Sequence, residues 1–364
     1  MANQNDAVLE ALSLAIAVRI PILLWGPPGA GKSSAVTAMC ESAGFPYEVV
    51  IASIREPSDF SGLPVVGEEG VTFAPPRWAT RLAESSSGVL FLDEISTAPP
   101  AVQAALLRVV LERVVGDLKL PDDIAIVAAA NPPDQAADGW DLSAPLANRF
   151  CHLDWQVDTS ALTSGLVAGF PVPVVPEVGR DWTSQIPLAA SQVGGFLSVR
   201  QSFAIQPPTD RSLAGRAWPS PRTWEMVCKL IAAADSVQAS PEAKRNLIIG
   251  CLGEGVGLEF LTWLQESDLP DPEAALRDPK SVVFPDRGDR LFAALSAVAA
   301  VIAADPTAER WLAGWKVLSH AASETPDIGA MAAKVLAQVR PEGVSAPPEA
   351  AIFMPILQAA GLFK

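Results

Sequence analysis

Ile22–Ser34, ILLWGPPGAGKSS, constrains this chain more than any other stretch. An apolar run stops at Gly26 and passes into a glycine-rich loop ending in Lys32-Ser33, which fits the spacing G-x-x-x-x-G-K-[ST]. Gly26, Gly29 and Gly31 let successive backbone N–H groups converge on phosphate oxygens with no side chain in the way. The candidate nucleotide-binding stretch is therefore Gly26, Pro27, Pro28, Gly29, Ala30, Gly31, Lys32, Ser33 and Ser34. Lys32 is expected to set its ammonium against the β- and γ-phosphates and Ser33 to ligate Mg²⁺, while a helix starting near Gly31 turns its positive end to the same anion. Such a loop needs a strand before it and a helix after it. Ile20–Trp25 reads as a buried strand and Ser34–Cys40 as a helix.

A chain of 364 residues with 49% hydrophobic and 18% charged side chains is an ordered globular protein with room for two or three domains. Its most apolar windows fall short of the roughly 20 residues that cross a bilayer. Leu12–Trp25 is broken by Arg19 and Pro21, and Leu291–Ala304 ends at Asp305, so no membrane insertion is expected. Asp6 and Glu10 stand where a secretory signal would carry basic residues, which makes cytoplasmic residence the expectation. Cys40, Cys151, Cys228 and Cys251 lie far apart without a C-x-x-C, and there are two histidines, so neither a disulfide framework nor a zinc site is indicated. The cysteines read as small buried hydrophobes, and His152 and His320 receive no role. The net charge is −15, with 9 basic and 19 acidic side chains in residues 1–156, and no basic patch interleaved with aromatics appears. This argues against a surface built for nucleic acid.

Beyond the glycine-rich loop, Ala7–Val18 repeats apolar residues at helical spacing and Tyr47–Ala52 reads as a second buried strand. Leu63–Val66 and Val71–Ala74 flank Gly67-Glu68-Glu69-Gly70 as a hairpin, followed by a helix over Arg77–Glu84. Gly88–Glu94, GVLFLDE, is an apolar strand ending in two carboxylates. At the C-terminal edge of a parallel strand beside the phosphate loop, Asp93 can hold Mg²⁺ through water and Glu94 can orient the attacking water. Ala101–Leu111 is helical in pattern, Arg113–Pro121 turns as a second hairpin, and Ile124–Ala130 is a further buried strand. Asn131 at its end is either a γ-phosphate or water contact, or a turn-former before Pro132. Leu142–Phe150 follows as a short helix, and Cys151–Trp155 as a strand.

GPPGAGKS, VLFLDE, AAANP and LANRF in this order, with the two hairpins between them, resemble the AAA+ ATPases. DEISTAPPAVQAALLRVVLER is similar to the second acidic motif and following helix of their MoxR-type branch. The likeness covers residues 7–156, and more weakly Ser220–Arg222 with the helical region behind it. It implies an α/β core with a five-stranded parallel sheet and helices on both faces, followed by an all-helical lid. It also implies a homo-oligomeric ring, usually hexameric, with ATP between subunits. By position, Lys32 and Ser33 match the phosphate loop, Asp93 and Glu94 the second motif, and Asn131 the first sensor. Arg149 matches the arginine finger given to a neighbour's γ-phosphate, the alternative being a surface arginine paired with Asp154. Arg222 matches the second sensor, and whether it acts in cis or in trans stays open.

The expected organisation is a nucleotide-binding core at 1–157, a proline-rich connector at 158–219 with one helix near Leu188–Arg200, a helical lid at 220–340 and an apolar segment at 341–364. The connector is a spacer or a docking element. Trp311 and Trp315, four apart on one helix face, read as core. The function implied is Mg²⁺-dependent ATP hydrolysis by a ring that remodels or activates a protein client, such as one with a metal-dependent adhesion (von Willebrand A-like) domain. A nucleic-acid motor and a nucleotide-gated scaffold are the alternatives, and no motif chooses between adenine and guanine.

Overall fold

The computed structural model describes residues 4–362 apart from 69, 133–134, 136–139, 171–177, 211–212 and 267–268. The chain forms two compact units, Met1–Arg180 with Ile205–Leu258, and Asp181–Ala204 with Glu259–Lys364. In the first, helix α1 (Gln4–Ala17) precedes strand β1 (Ile22–Trp25) and helix α2 (Lys32–Ala43). There follow β2 (Tyr47–Ile51), α3 (Ser58–Ser61), the hairpin β3 (Leu63–Gly67) and β4 (Gly70–Ala74), α4 (Arg77–Glu84), β5 (Ser87–Asp93) and α5 (Pro100–Glu112). A second hairpin, β6 (Val114–Val115) and β7 (Leu118–Lys119), leads to β8 (Asp123–Ala130), α6 (Ala144–Ala147), β9 (Cys151–Asp154) and α7 (Thr159–Ala168). Helix α8 (Ile186–Val199) belongs to the second unit, and α9 (Pro221–Ser236) and α10 (Pro241–Leu252) return to the first.

Five strands pair in the order β2-β5-β8-β1-β9, all parallel. Parallel strands covered on both faces must be apolar throughout rather than alternating. Accordingly Ile22–Trp25, Val89–Leu92 and Ile124–Ala130 are fully buried. The expectation of a buried strand at Tyr47–Ala52 is corrected here. β2 is the sheet edge, and Val49 and Ile51 remain exposed. The ribbon β3–β4 is exposed along its length, with Val66 82% open. A lone hairpin is marginal in water. This one is tied at its root to the second hairpin, where Asp117 N donates to Phe73 O (3.0 Å) and Phe73 N to Asp117 Oδ2 (2.7 Å).

The connector holds α7 as well as the helix expected near Leu188–Arg200, so it is less irregular than its composition suggests. The proline run at Pro171, Pro173 and Pro176, and Glu69 of the first hairpin turn, lie outside the described residues. Helices α9 and α10 cover the sheet unit, with α10 against β9 and α1. The second unit continues through α11 (Glu254–Glu266), which begins in the first, α12 (Pro272–Arg277), α13 (Gly288–Ala304), α14 (Ala308–Ala321), α15 (Pro326–Gln338) and α16 (Met354–Ala359). Its core gathers Leu295, Ile302, Trp311, Trp315, Leu336, Phe353 and Leu357, so the apolar C-terminal segment packs into this unit up to Leu362.

Candidate nucleotide site

Parallel register brings three strand ends together. Trp25 lies opposite Ala130 and Leu92 opposite Ala128, which places Gly26, Asp93 and Asn131 along one sheet edge. Gly26 N donates to Ala130 O at 3.2 Å, so the loop leaves the sheet already hydrogen-bonded to the strand carrying Asn131. Pro27 and Pro28 have no N–H, so the donors available to a phosphate come from the loop after them. Gly29 and Gly31 take φ of 75° and 87°, and Gly31 is the N-cap of α2. The loop is braced from β9. Trp155 N donates to Trp25 O (2.6 Å) and the Trp155 indole N–H to Ala30 O (2.9 Å).

Lys32 is buried, and its ammonium donates to Gly26 O (2.6 Å), Pro27 O (2.9 Å) and Asn131 Oδ1 (3.1 Å). Burial lowers its pKa, and the nearby Asp93 and Glu94 charges oppose that shift. Asn131 thus turns its side chain to Lys32, and its backbone N–H and C=O both meet the buried Ser96 hydroxyl at 3.2 and 3.3 Å. Ser33 Oγ donates to Asp93 Oδ2 at 2.7 Å. One hydroxyl beside one carboxylate suits Mg²⁺, which takes few protein ligands and completes its shell with phosphate and water. Among the described residues no cluster of three His, Cys, Asp or Glu could cage a metal.

Glu94, one residue past β5, has φ 55°, a left-handed backbone that a glutamate rarely adopts. Its carboxylate is in reach of the Ser53 hydroxyl, which donates to Oε2 at 2.5 Å. The two carboxylates at the strand end thus meet different hydroxyls, Asp93 that of Ser33 and Glu94 that of Ser53. Arg149 follows α6, and Arg222 stands in the first turn of α9. Neither is linked by a hydrogen bond or ion pair to Lys32, Asp93, Glu94 or Asn131 among the described residues. Asp154, the alternative partner for Arg149, pairs instead with Arg216 at 3.1 Å. Arg149 donates to Pro145 O of the preceding α6, and its Nε is buried with no partner among the described residues.

Sequence reading passes over Ser53, Ser96 and Trp155 as site residues. They reach the site across 41, 35 and 125 positions of chain, so no local spacing marks them. It also leaves His152 without a role, although this ring accepts from the Trp25 indole N–H at Nδ1 and donates from Nε2 to Ala147 O, both at 2.9 Å.

A glycine-rich strand-loop-helix with a buried lysine, a polar side chain at the end of the neighbouring strand and an acid pair at the end of the strand beyond it is the arrangement of a P-loop nucleotide site. Residues 21–150 match the AAA domain (dynein-related subfamily). The chain is 35% identical to Protein MoxR of Methylorubrum extorquens over 110 residues, which is 30% of this chain and 32% of that protein. It is 33% identical to the transcriptional regulatory protein XylR of Pseudomonas putida over 34% of this chain and 23% of that one. With Midasin of Giardia intestinalis it shares 29% identity over 46% of this chain and 4% of the other. The chain therefore spans about a third of the length of MoxR and less of the other two. A crystal structure from Cytophaga hutchinsonii overlays 73% of this chain and 91% of its own at 16% identity and a TM-score of 0.45, too loose to add to these likenesses. Residues 21–150 match an AAA domain, and over about a third of its length the chain resembles the MoxR type.

Proposed function

We propose that this protein hydrolyses ATP in a Mg²⁺-dependent reaction at the interface of a homo-oligomeric ring and uses the cycle to remodel a protein client. The convergence of Lys32, Ser33, Asp93, Glu94 and Asn131 at one sheet edge carries the reading. Lys32 would exchange its carbonyl partners for the β- and γ-phosphate oxygens, and the loop amides would hold the rest of the triphosphate. Ser33 and Asp93 would hold Mg²⁺, whose charge neutralises the β- and γ-oxygens. Glu94, released from Ser53, would orient the attacking water with Asn131. Such catalysis is positioning and electrostatics rather than covalent chemistry.

The own-chain site has no arginine in contact with it among the described residues, while Arg149 carries a buried Nε without an acceptor. That supports delivery of Arg149 to a neighbour's γ-phosphate, where an arginine finger contributes about 10³–10⁵ in rate. A protein client, rather than nucleic acid, is favoured by the exposed ribbon carrying Leu63, Val65, Val66, Val71 and Phe73, because contiguous exposed apolar surface marks protein contacts. The net charge of −15 works against phosphodiester partners.

The test is Glu94→Gln. It should bind Mg-ATP with a Kd within about threefold of wild type and lower kcat by about 10²–10³, the range of a lost water-orienting group. Wild-type turnover by the pure variant would remove Glu94 from the reaction. In nucleotide the trapped protein should elute as a closed oligomer, and elution as a monomer would remove the ring.

A further inference from the structure

A sheet edge presents a row of unpaired backbone N–H and C=O groups, which folded proteins cover, interrupt or charge. Beside the two-residue strands β6 and β7, the first unit has four such edges among the described residues, at β9, β3, β4 and β2. The first three are closed. At β9, Cys151 N donates inward to Pro21 O (2.8 Å), so the His152 backbone faces outward, and Gly250 of α10 packs so closely on His152 O that a Cβ there would overlap it. In the ribbon, the N–H and C=O of Phe73 are both bonded to Asp117, which occupies the outer edge of β4. Pro64, opposite Phe73, leaves β3 without an outward N–H at that position.

β2 is the exception. Val89 N donates to Pro46 O at 2.9 Å, which sets the alternation of the β2–β5 ladder. Glu48 and Val50 therefore turn their backbone groups to β5, and Tyr47, Val49 and Ile51 turn theirs outward, where they meet no hydrogen-bond partner among the described residues. The strand holds no proline or lysine. Val49 and Ile51 share one face and are 40% and 39% exposed, so the open edge is also apolar. Its rim is acidic. Glu41 accepts from the Tyr47 hydroxyl at one end of the strand, and Glu56 and Asp59 follow at the other. The nearby cations are already paired, Arg81 with Glu48 at 2.6 Å and Arg55 with Asp59 at 4.0 Å.

We propose that the outer edge of β2 is a docking site for an extended peptide segment of a protein partner, added as a sixth strand, with β-branched or aromatic residues at alternate positions and Lys or Arg at its ends. Outward N–H and C=O groups at i, i+2 and i+4 supply the backbone half of such recognition, and alternate side chains supply the other half. Residues of the added strand on the Val49 face cover Val49 and Ile51 as cross-strand pairs. The acidic rim selects the basic ends. The ribbon of a second copy is a poor occupant, because its outer edges are the ones interrupted by Pro64 and Asp117. The site needs neither the ring nor hydrolysis.

The probe is a fluorescein-labelled ten-residue peptide of three Val-Thr repeats between lysine pairs, titrated into the full chain and followed by anisotropy. Binding should saturate. In the bound state the amides of Val49 and Ile51 should exchange about 10-fold more slowly or better, while that of Val50, already paired to β5, changes less than about twofold. The same peptide N-methylated at its six central residues keeps its side chains but cannot donate, and should bind about 10-fold more weakly. Glutamate pairs in place of the lysines should weaken binding by about 10-fold at low salt. Val49→Pro removes an outward donor without touching the ladder to β5, so melting temperature and Mg-nucleotide affinity should stay near wild type while peptide affinity falls by about 10-fold. Should that variant fail to fold, Val49→Lys, which keeps the backbone and sets a cation against the basic peptide, should show the same loss. Equal binding of the N-methylated or the glutamate-flanked peptide, or wild-type affinity in the folded Val49 variant, would overturn the proposal. Absence of saturable binding, or a Val49-dependent dimer formed by the chain without peptide, would overturn it equally, the latter by giving the edge to a second copy.

Discussion

The two ring nitrogens of His152 join the last residue of β1 to the end of α6. Trp25 can only donate from its indole, so Nδ1 must be the bare acceptor and Nε2 must carry the proton given to Ala147 O. The neutral ring is thus written into the fold, and the Trp25 ring lies beside it, nearly parallel at 16° with centroids 6.2 Å apart. Burial, the largest cause, lowers its pKa to about 4, against the opposing hydrogen bond to Ala147. An unfolded chain takes up this proton below about pH 6.5. Because the native pKa lies below the unfolded one, the stability tied to His152 is complete above pH 6.5 and is lost as the pH falls from there towards 4. At roughly 1.4 kcal/mol per unit, the loss over that window is about 3 kcal/mol. Urea titrations at pH 7 and pH 4.5 should show wild type losing about 2–3 kcal/mol more than His152→Gln, after the carboxylates common to both cancel. Equal losses would mean that this ring titrates normally and is not sealed.

At the scale of elements, the handover from β1 to the phosphate loop depends on β9. A Cβ on Gly26 would lie 2.7 Å from Trp155 O, the carbonyl at the end of a residue whose backbone and indole N–H groups already grip Trp25 and Ala30. Gly26→Ala must therefore push β9 off the loop, and overpacking of this kind costs about 1–3 kcal/mol. Nucleotide affinity measured by calorimetry should drop by about 10-fold, because the loop amides lose their aim. Trp155→Phe, which removes the indole donor together with part of the buried ring, should cost about 1–3 kcal/mol and leave affinity nearly intact. Wild-type affinity in Gly26→Ala would show that the carbonyl yields freely. These elements differ in how much of them was legible beforehand. β1, β5 and β8 announce themselves because strands buried on both faces are continuous apolar runs, and the glycine spacing fixes the loop between β1 and α2. β2 misleads, since Tyr47–Ile51 has the same apolar character but sits at the sheet edge, a position no periodicity reveals. Helix α7 is hidden by its Thr/Ser/Gly content, and its start is set by the Asp158 side chain accepting from Ser160 N and Ala161 N. The acid pair was readable from its place after an apolar strand. The left-handed turn that separates Glu94 from Asp93, and the Ser53 and Ser96 hydroxyls that hold Glu94 and Asn131, arise only when distant strands meet.

For the whole molecule, the decisive feature is that every proposed nucleotide residue, from Lys32 to Arg222, belongs to the first compact unit, while a second core stands in the other. That second core centres on Trp311 and Trp315, both fully buried and edge-to-face with centroids 5.8 Å apart, the Trp311 indole donating to Leu336 O at 2.7 Å. A ligand that binds the native first unit stabilises that unit by mass action, about 2.7 kcal/mol at a hundredfold excess over Kd. Segment-resolved hydrogen exchange should show this partition, since protection follows the local unit that must open. Saturating Mg-nucleotide should slow exchange in Ile124–Ala130 by roughly 10–100-fold while leaving Gly288–Ala304 within about twofold of the free protein. Trp315→Ala should do the opposite. Loss of a buried tryptophan costs about 3–5 kcal/mol, so exchange in Gly288–Ala304 and Pro326–Gln338 should accelerate while nucleotide Kd stays within about twofold. Uniform protection of both segments by nucleotide, or a large loss of affinity in Trp315→Ala, would instead make the chain a single cooperative body in which the second core sets the state of the phosphate site.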